Sequence, residues 1–355
     1  MTPPKSCGEY GRNMSDKPII ALSTSYFRQK YSDGYEMLCK CAELGFEYAE
    51  LGHNTTMNMV EGILKAVGEG VIKISSLHNF CPIPPFAAPP APNLFSPATS
   101  SKSESGLWRR HTLNTLSFAS QVGAGRVVTH AGALSYFFIN PKCALSREYA
   151  GMLALRAACE PIAGGGDVSK ASEKARAEAK KKYEKQRGAY LKRLGKFISK
   201  AEKKAEKYHE RIFENLKEVD GEFEKAGVLL GIENRDGYCE LPFDTKFAEF
   251  TQGCAEKLAC ARPWIDIGHV MVKARRGVVD FEKFVEQASR GVCGWHLHDC
   301  DEAAHDHLAI GQGAIDFGFV KKFFDKSSQI FTLELNARVS EADAVSSRKK
   351  VEDMF

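Results

Sequence analysis

The chain has 355 residues, of which 43% are apolar, and a net charge of +4, so it can bury a sizeable core and its overall charge does not imply nucleic-acid binding. Its 11 cysteines are scattered. Cys39 and Cys41 fit neither a zinc ribbon nor a redox motif, and we expect a reducing, cytoplasmic compartment. No apolar run reaches the roughly 18 residues of a membrane span. Residues 1–16 lack a signal peptide's apolar core and are expected to be a disordered leader, followed by one domain over residues 17–355.

From residue 18 onward, short strand-like segments alternate with amphipathic, helix-like segments. The predicted strands are 18–23, 48–52, 71–77, 126–130, 228–234, 263–268, 292–298 and 331–336. The predicted helices include 34–45, 59–70, 111–123, 280–291 and 319–326. Such alternation is typical of a parallel sheet covered by helices. Eight units in about 320 residues favour an α/β fold of the (β/α)8 TIM-barrel type over an open sheet, and no glycine-rich phosphate motif follows the first strand.

A proline-rich segment, residues 78–106, follows the third predicted strand. Seven of the 14 prolines lie between residues 78 and 97, which excludes a helix or a central strand there. Long irregular loops in compact domains are usually functional or disordered. We therefore expect this loop to form a lid or wall over one end of the barrel, rather than a plain surface connection.

A charged segment, residues 167–220, follows the fourth predicted strand. It contains 17 Lys and Arg against 10 Asp and Glu, so it carries +7 and the rest of the chain −3. Alanine, lysine and glutamate favour helix, and glutamates and lysines recur three or four residues apart. The prediction is a long solvated helix or a helical hairpin. A basic arm for nucleic acid or an acidic partner is the alternative, although interleaved glutamates and few aromatic residues argue against a nucleic-acid surface.

Ionisable residues gather where the predicted strands end. Eight of the ten histidines lie there: His53, His78, His130, His269, His296, His298, His305 and His307. Acids occupy equivalent places, namely Glu50, Glu233, Asp266 and Glu334. In a parallel barrel these ends meet at the face that carries the active site. Mixed imidazole and carboxylate ligands suit Zn, Mn, Co or Fe, whereas a calcium or magnesium site would not need so many histidines.

Five motifs carry a resemblance to a known superfamily. They are GIENRDG (231–237), WIDIGHV (264–270), GWHLHD (294–299), HLAIGQGAIDF (307–317) and TLELN (332–336). In this order and spacing they resemble the xylose isomerase-like TIM-barrel superfamily, over about residues 18–340 without the charged segment. That superfamily includes sugar and sugar-phosphate isomerases and epimerases, and apurinic endonucleases of the endonuclease IV type.

Similarity to the isomerase and epimerase branch implies one divalent metal ion (Mn, Zn, Co or Fe) and no nucleotide cofactor. The implied ligands are Glu233, Asp266, Glu334 and a histidine of the HLH triplet, where similarity to the epimerases favours His298 over His296. Glu233 and Glu334 would be the catalytic residues that move a proton through an enediolate. The residues expected to bind substrate are His269, Arg235, His78, His130, His307 and Trp295. For Arg235, a salt bridge at the barrel rim is an equal alternative.

Three other functions stay open at this stage, and one of them is another metal-dependent lyase or hydrolase. The endonuclease branch uses three zinc ions, and candidates for most of their ligands are present: His78, His130, Glu233, Asp266, His269, His296, His307 and Glu334. His305 stands where that branch has an aspartate, which puts the third metal in doubt. A non-catalytic sugar-binding barrel is the other alternative. The favoured partner is a small sugar or sugar phosphate, not a membrane or nucleic acid, and the charged segment could pack against a second subunit.

Overall fold

A closed barrel of eight parallel strands, paired in chain order, forms the centre of the fold. The computed structural model describes residues 17–28, 30–136, 140–159 and 170–355, so the predicted leader lies outside the described residues. The strands are β1 (Ile19–Ser23), β2 (Tyr48–Leu51), β3 (Lys73–His78), β4 (Arg126–Thr129), β5 (Leu229–Glu233), β6 (Ala261–Asp266), β7 (Gly294–Leu297) and β8 (Ile330–Leu333). All eight predicted strands are present, and the predicted TIM barrel is confirmed.

Helices surround the barrel. They are α1 (Gly34–Glu43), α2 (Val60–Gly68), α3 (Lys102–Val122), α4 (Pro141–Cys159), α5 (Lys170–Ala226), α6 (Phe247–Lys257), α7 (Ile267–Arg275), α8 (Phe281–Ala288), α9 (Phe317–Val320) and α10 (Glu341–Glu352). Short 3-10 turns cover Thr24–Phe27, Met57–Met59, Asp244–Lys246 and Lys321–Phe323. Helices α4, α6 and α10 are not among the predicted helices; in α4 and α10 the apolar residues do not form a clear stripe. No helix in the described ranges combines the length and apolarity needed to cross a membrane.

The side chain of Trp264 fills the barrel below the strand ends. It is fully buried and meets the ring of His296 edge-on, with ring centroids 5.0 Å apart. Gly231 and Gly294 on the neighbouring strands make room for the indole, because a Cβ at either position would collide with it. Apolar packing around Trp264 therefore fills the barrel on this side. The polar side chains above Trp264 face the carboxyl ends of the strands.

The proline-rich segment has no helix or strand between the end of β3 and the start of α3. It returns over the barrel, since the side-chain oxygen of Asn93 lies 2.8 Å from Nδ1 of His130, directly after β4. This loop therefore contacts the face where the strands end.

The charged segment is one continuous helix in the described residues, α5, not a hairpin within itself. Its 57 residues correspond to about 85 Å. The helix is not solvated all round, because Tyr190 is buried and its hydroxyl lies 2.9 Å from that of Tyr238 and donates to the carbonyl of Arg276 at 2.7 Å. Tyr238 and Arg276 follow β5 and α7, so the amino-terminal half of α5 packs beside loops of the barrel, and α4 packs along α5.

Candidate active site

Four strands bring three carboxylates and one imidazole together. Glu233 ends β5, Asp266 ends β6, His296 lies in β7 and Glu334 follows β8. One ligand atom from each lies within 4.8 Å of the others, and all four residues are buried. Nδ1 of His296 is 3.4 Å from Glu233 Oε1 and 3.3 Å from Glu334 Oε2. We call this set the four-residue group.

Glu50 of β2 fixes the orientation of His296. Its two carboxylate oxygens lie 3.2 and 3.1 Å from Nε2 of His296, and Ser76 donates to Glu50 at 2.8 Å. Because Nε2–H donates to Glu50, Nδ1 is turned toward the other carboxylates. A carboxylate behind an imidazole is the arrangement that orients histidine ligands in metal sites. From the sequence, Glu50 was predicted to lie at a strand end, but this orienting role was not predicted.

His78 and His130 form a second group with Glu233. Their Nε2 atoms lie 3.2 and 3.0 Å from Glu233 Oε2. Nδ1–H of His78 donates to the carbonyl of Asn79 at 3.0 Å, and Nδ1–H of His130 donates to Asn93. In the neutral imidazole this leaves the lone pair on Nε2, facing a carboxylate.

The second group provides a test of whether a cation fits. Nε2 of His130 is buried without a hydrogen-bond partner, and burial, together with Arg235, holds the pKa of His130 well below its usual value. A neutral nitrogen lone pair beside a carboxylate oxygen is unfavourable unless a cation lies between them. The donor set therefore fits a divalent metal ion.

The third group consists of His269, His298 and His307. Nδ1–H of His307 donates to the carbonyl of Glu334 at 2.7 Å. The backbone N–H of His307 donates to Nδ1 of His298 at 2.8 Å, and Nε2–H of His298 donates to Asp266 Oδ1 at 2.9 Å. Both nitrogens of His298 are thus engaged. His296, rather than the favoured His298, is the histidine that faces Glu233 and Glu334.

Asp266 joins the first and third groups. Its carboxylate caps α7 by accepting the backbone N–H of His269 at 2.7 Å, which is why a histidine three residues later returns to the same site. The side chain of Asn234 makes two hydrogen bonds with the backbone of Asp266: it accepts from the N–H at 2.8 Å and donates to the carbonyl at 3.0 Å. A Cβ on Gly268 would collide with the His298 imidazole, so the motif requires glycine at this position. The role of Asn234 was not foreseen from the sequence.

The buried carboxylates hold protons on nearby imidazoles. Burial opposes ionisation of Glu233, but the permanent charge of Arg235 and a hydrogen bond with His269 outweigh it and hold its pKa well below the usual range. Burial likewise opposes protonation of His296, but Glu50 and Glu334 raise its pKa well above normal. Against the same burial effect, Asp266 raises the pKa of His269 to about 10. The buried carboxylates of the site therefore strongly stabilise nearby positive charge, and a divalent cation would supply that charge as well.

Arg235 is part of this charge network. Its guanidinium lies 3.4 Å from Glu233 Oε1 and 3.9 Å from carboxylate oxygens of Asp236 and Glu240. Its side chain is 18% exposed. Arg235 therefore forms ion pairs beside the site; whether it also holds substrate stays a prediction.

A cavity of about 550 Å³ opens beside the metal-ligand groups. Glu334 and His307 line it from the strand ends, and Pro89 and Pro90 of the proline-rich loop line it from above. Its remaining lining residues are Ser25, Arg28, His53, Asn54, Leu335, Asn336 and Ala337. This volume is within the usual range for small-molecule sites.

Trp295 does not reach this site. Its indole N–H donates to Gln329 at 2.8 Å, and its ring packs against Phe324 with centroids 5.2 Å apart. Side chains alternate along a strand, so a residue next to the inward-facing His296 must face the surrounding helices. The prediction that Trp295 lines the pocket is wrong.

Comparisons with known proteins agree with this architecture. The family model described as xylose isomerase-like TIM barrel matches residues 171–352, about half of the chain. An uncharacterized protein, MJ1614 of Methanocaldococcus jannaschii, is 27% identical over 139 residues, 39% of this chain and 51% of that protein. The chain thus spans about half the length of this curated relative.

Three solved structures illustrate the similarity of this fold to known proteins. A D-tagatose 3-epimerase-like protein has a TM-score of 0.58 and 16% identity, covering 94% of this chain and 96% of that one. Apo 3-keto-D-glucoside 4-epimerase YcjR from E. coli has a TM-score of 0.60 and 11% identity, covering 96% and 100%. A putative xylose isomerase from Rhodospirillum rubrum has a TM-score of 0.60 and 12% identity, covering 95% and 99%. At these identities the likeness shows the fold, and together with the family match it means that the chain belongs to the xylose isomerase-like TIM-barrel family.

Proposed function

We propose that this protein is a metal-dependent isomerase or epimerase of a sugar or sugar phosphate, acting by proton transfer through an enediolate. One observation carries the proposal: Glu233 and Glu334 come from strands β5 and β8 and approach the same nitrogen of His296, at 3.4 and 3.3 Å. Two carboxylates thus converge on one cation site from different parts of the barrel. The sugar epimerases and putative isomerase among the structural neighbours support the same reaction class.

The residues proposed to hold the metal are Glu233, Asp266, Glu334 and, through Nδ1, His296. Their mixed oxygen and nitrogen donors suit Mn, Zn, Co or Fe. When bound, such an ion would polarise the carbonyl oxygen of the sugar and make the neighbouring C–H group more acidic.

The chain's own residues would then move the proton. One of the two glutamates takes it from the carbon next to the carbonyl, and the other glutamate, or the same one, returns it. Epimerisation requires return to the opposite face of the same carbon, and two carboxylates from different sides of the barrel suit that outcome. His307 lines the cavity beside Glu334, and its ring is fixed by the bond to the Glu334 carbonyl. Pro89 and Pro90 help to exclude water from the cavity.

Proton exchange with solvent tests this proposal. The protein, loaded with Mn or Co, would be incubated in D2O with a panel of ketoses and ketose phosphates, and deuterium incorporation followed by NMR. Glu233→Gln and Glu334→Gln should each abolish incorporation while circular dichroism stays unchanged. Glu249→Gln is the matched control, because the side chain of Glu249 is exposed on α6 and forms an ion pair with Lys246 at 2.8 Å. Full exchange in both glutamine variants of the site would remove the proton-transfer role.

A second function is favoured by one feature of the cluster. Glu233 belongs both to the four-residue group and to the group with His78 and His130. A carboxylate shared by two cation sites is suited to the two-metal hydrolysis of phosphate esters. This supports the endonuclease IV-type alternative, cleavage of DNA at abasic sites. The third zinc site of that branch would be incomplete here, because His305, which stands in place of its aspartate, is exposed and its Nδ1 lies 2.9 Å from Asp301.

Metal content and two variants separate these functions. For the isomerase, His296→Ala should lose both the metal ion and deuterium exchange, and His130→Ala should keep one metal ion per chain. For the endonuclease, two or three zinc ions per chain should be found, and His130→Ala should abolish nicking of abasic DNA. Tight sugar binding without either activity would favour the third function, a non-catalytic sugar-binding barrel.

A further inference from the structure

The cavity beside Glu334 has opposite charges at different places in its lining. Glu334 is buried among the metal-ligand groups, whereas Arg28 is exposed at the outer part of the lining. Among the described residues that line this cavity, Arg28 is the one lysine or arginine.

The backbone holds Arg28 in a conformation that arginine rarely adopts. It follows the 3-10 turn Thr24–Phe27 with φ of 50°. Its N–H donates to the carbonyl of Ser25 at 3.0 Å, and Asn54 donates to the Arg28 carbonyl at 2.7 Å. Glycine would adopt this conformation without strain. Strained positions of this kind cluster at ligand-binding sites, so the presence of arginine here points to a role for its side chain.

The guanidinium of Arg28 has no carboxylate partner within the described parts of the chain. The next cation of this loop, Lys30, lies 3.9 Å from Glu341, and Arg235 on the other side of the site is paired with Glu233. Ser25, close to Arg28, also lines the cavity, and its hydroxyl is buried beside Gly52 without a hydrogen-bond partner. Arg28 and Ser25 therefore each have an unpaired donor group near the same cavity. Arginine's planar fork is suited to phosphate and carboxylate oxygens.

We infer that Arg28 and Ser25 bind an anionic group, a phosphate or a carboxylate, at the end of the substrate remote from the carbon on which Glu233 and Glu334 act. This rests on the proposed function and narrows its substrates to sugar phosphates or sugar acids. A cavity of about 550 Å³ can hold a molecule of that size. The substrate's charge matches the lining, with its anion at Arg28 and its carbonyl end at the metal-ligand groups.

Binding of simple anions provides the first test and needs no turnover. Inorganic phosphate and acetate would be titrated into the full-length protein by calorimetry, with Arg28→Met, Arg28→Gly and Lys30→Met as variants. The better of the two anions should bind about 10- to 100-fold more weakly to both Arg28 variants and equally well to Lys30→Met. Arg28→Gly also removes the backbone strain, so it should fold at least as stably as the wild type.

The relative affinities show which anion the site prefers. Stronger binding of phosphate assigns sugar phosphates, and stronger binding of acetate assigns sugar acids. The inference is overturned if neither anion binds the wild-type protein, or if binding is the same in the Arg28 variants, since the anion would then sit elsewhere.

A second readout links Arg28 to substrate. With a ketose and its terminal phosphate as a matched pair, Arg28→Met should raise the KM for the phosphate by about 10-fold or more and leave the KM for the uncharged ketose within about twofold. Equal changes for both sugars would contradict a role at the anionic end. Anion binding that depends on Arg28, without any deuterium exchange, would refute the proposed reaction and keep this site; exchange without such binding would do the reverse.

Discussion

Replacing Glu50 tests how far the proposed metal site depends on a residue outside its ligand set. Glu50 is completely buried and receives hydrogen bonds from Nε2 of His296 and from Ser76. Glu50→Gln keeps the shape and can still accept from Nε2–H, but it removes the negative charge. Glu50→Leu removes the acceptor as well and leaves a buried N–H without a partner.

The expected loss follows from the kind of bond. A hydrogen bond to a charged group contributes about 1.5–3 kcal/mol and a neutral one about 1 kcal/mol, so Glu50→Gln should cost about 0.5–2 kcal/mol of the orientation energy of His296. Partners behind metal-ligating histidines typically change metal affinity by about 10- to 100-fold. The two ranges overlap near 10-fold weaker binding for Glu50→Gln, and Glu50→Leu should approach 100-fold.

Metal affinity would be measured by competition with a chromophoric chelator, using Mn, Co and Zn in turn. Glu47→Gln is the control, because Glu47 is exposed and lies just before β2 on the same segment. Far-ultraviolet circular dichroism would show that each variant has kept the barrel. Unchanged affinity in a folded Glu50→Leu protein would refute the reasoning, because His296 would then not be the ligand or would not need Glu50 to orient it.

Three other perturbations have definite expected outcomes. Gly294→Ala should lower the free energy of unfolding by about 1–3 kcal/mol in urea denaturation, because the new methyl group would collide with Trp264; no loss would mean that the indole can move. In protein that holds a second metal ion at His78 and His130, Asn93→Leu should remove the bond that orients His130 and lower the metal count in elemental analysis, while the four-residue group stays filled; an unchanged count would contradict this. Removing a cation present at about 100 times its Kd should cost about 2.7 kcal/mol, seen as a lower Tm by calorimetry after treatment with chelator; an equal Tm with and without metal would count against a buried cation site.

The convergence of ionisable residues could be predicted from the sequence because it depends on local pattern and on one topological rule. Apolar runs identify the strands, and in a parallel barrel their carboxyl ends must meet. Asp266 and His269 illustrate this, since a strand end, a helix cap and a histidine three residues later follow directly from the letters DIGH. The outward position of Trp295 was also available from the alternation of side chains around His296.

Other features depend on contacts that the sequence does not reveal. His296 and His298 have the same parity, so alternation cannot separate them. β7 ends at Leu297, and His298 lies beyond it, where the backbone of His307 and the carboxylate of Asp266 fix its ring. Asn93 reaches His130 from an irregular loop 37 residues earlier in the chain. Such a contact is decided by the path of the loop over the finished barrel.

The chemistry of the cluster argues that the barrel holds it for function and not for stability. Burying a charged group costs several kcal/mol unless partners compensate, and apolar side chains of similar volume are often at least as stable. Here Glu50, Glu233 and Asp266 are fully buried, and Glu334 is 6% exposed. Trp264 fills the barrel below these carboxylates, and Glu334 also lines the cavity, so their negative charge is felt by a group in the cavity. A site of this kind stabilises a positive charge that enters it, and the cavity lined by Arg28 and the proline-rich loop gives access to it.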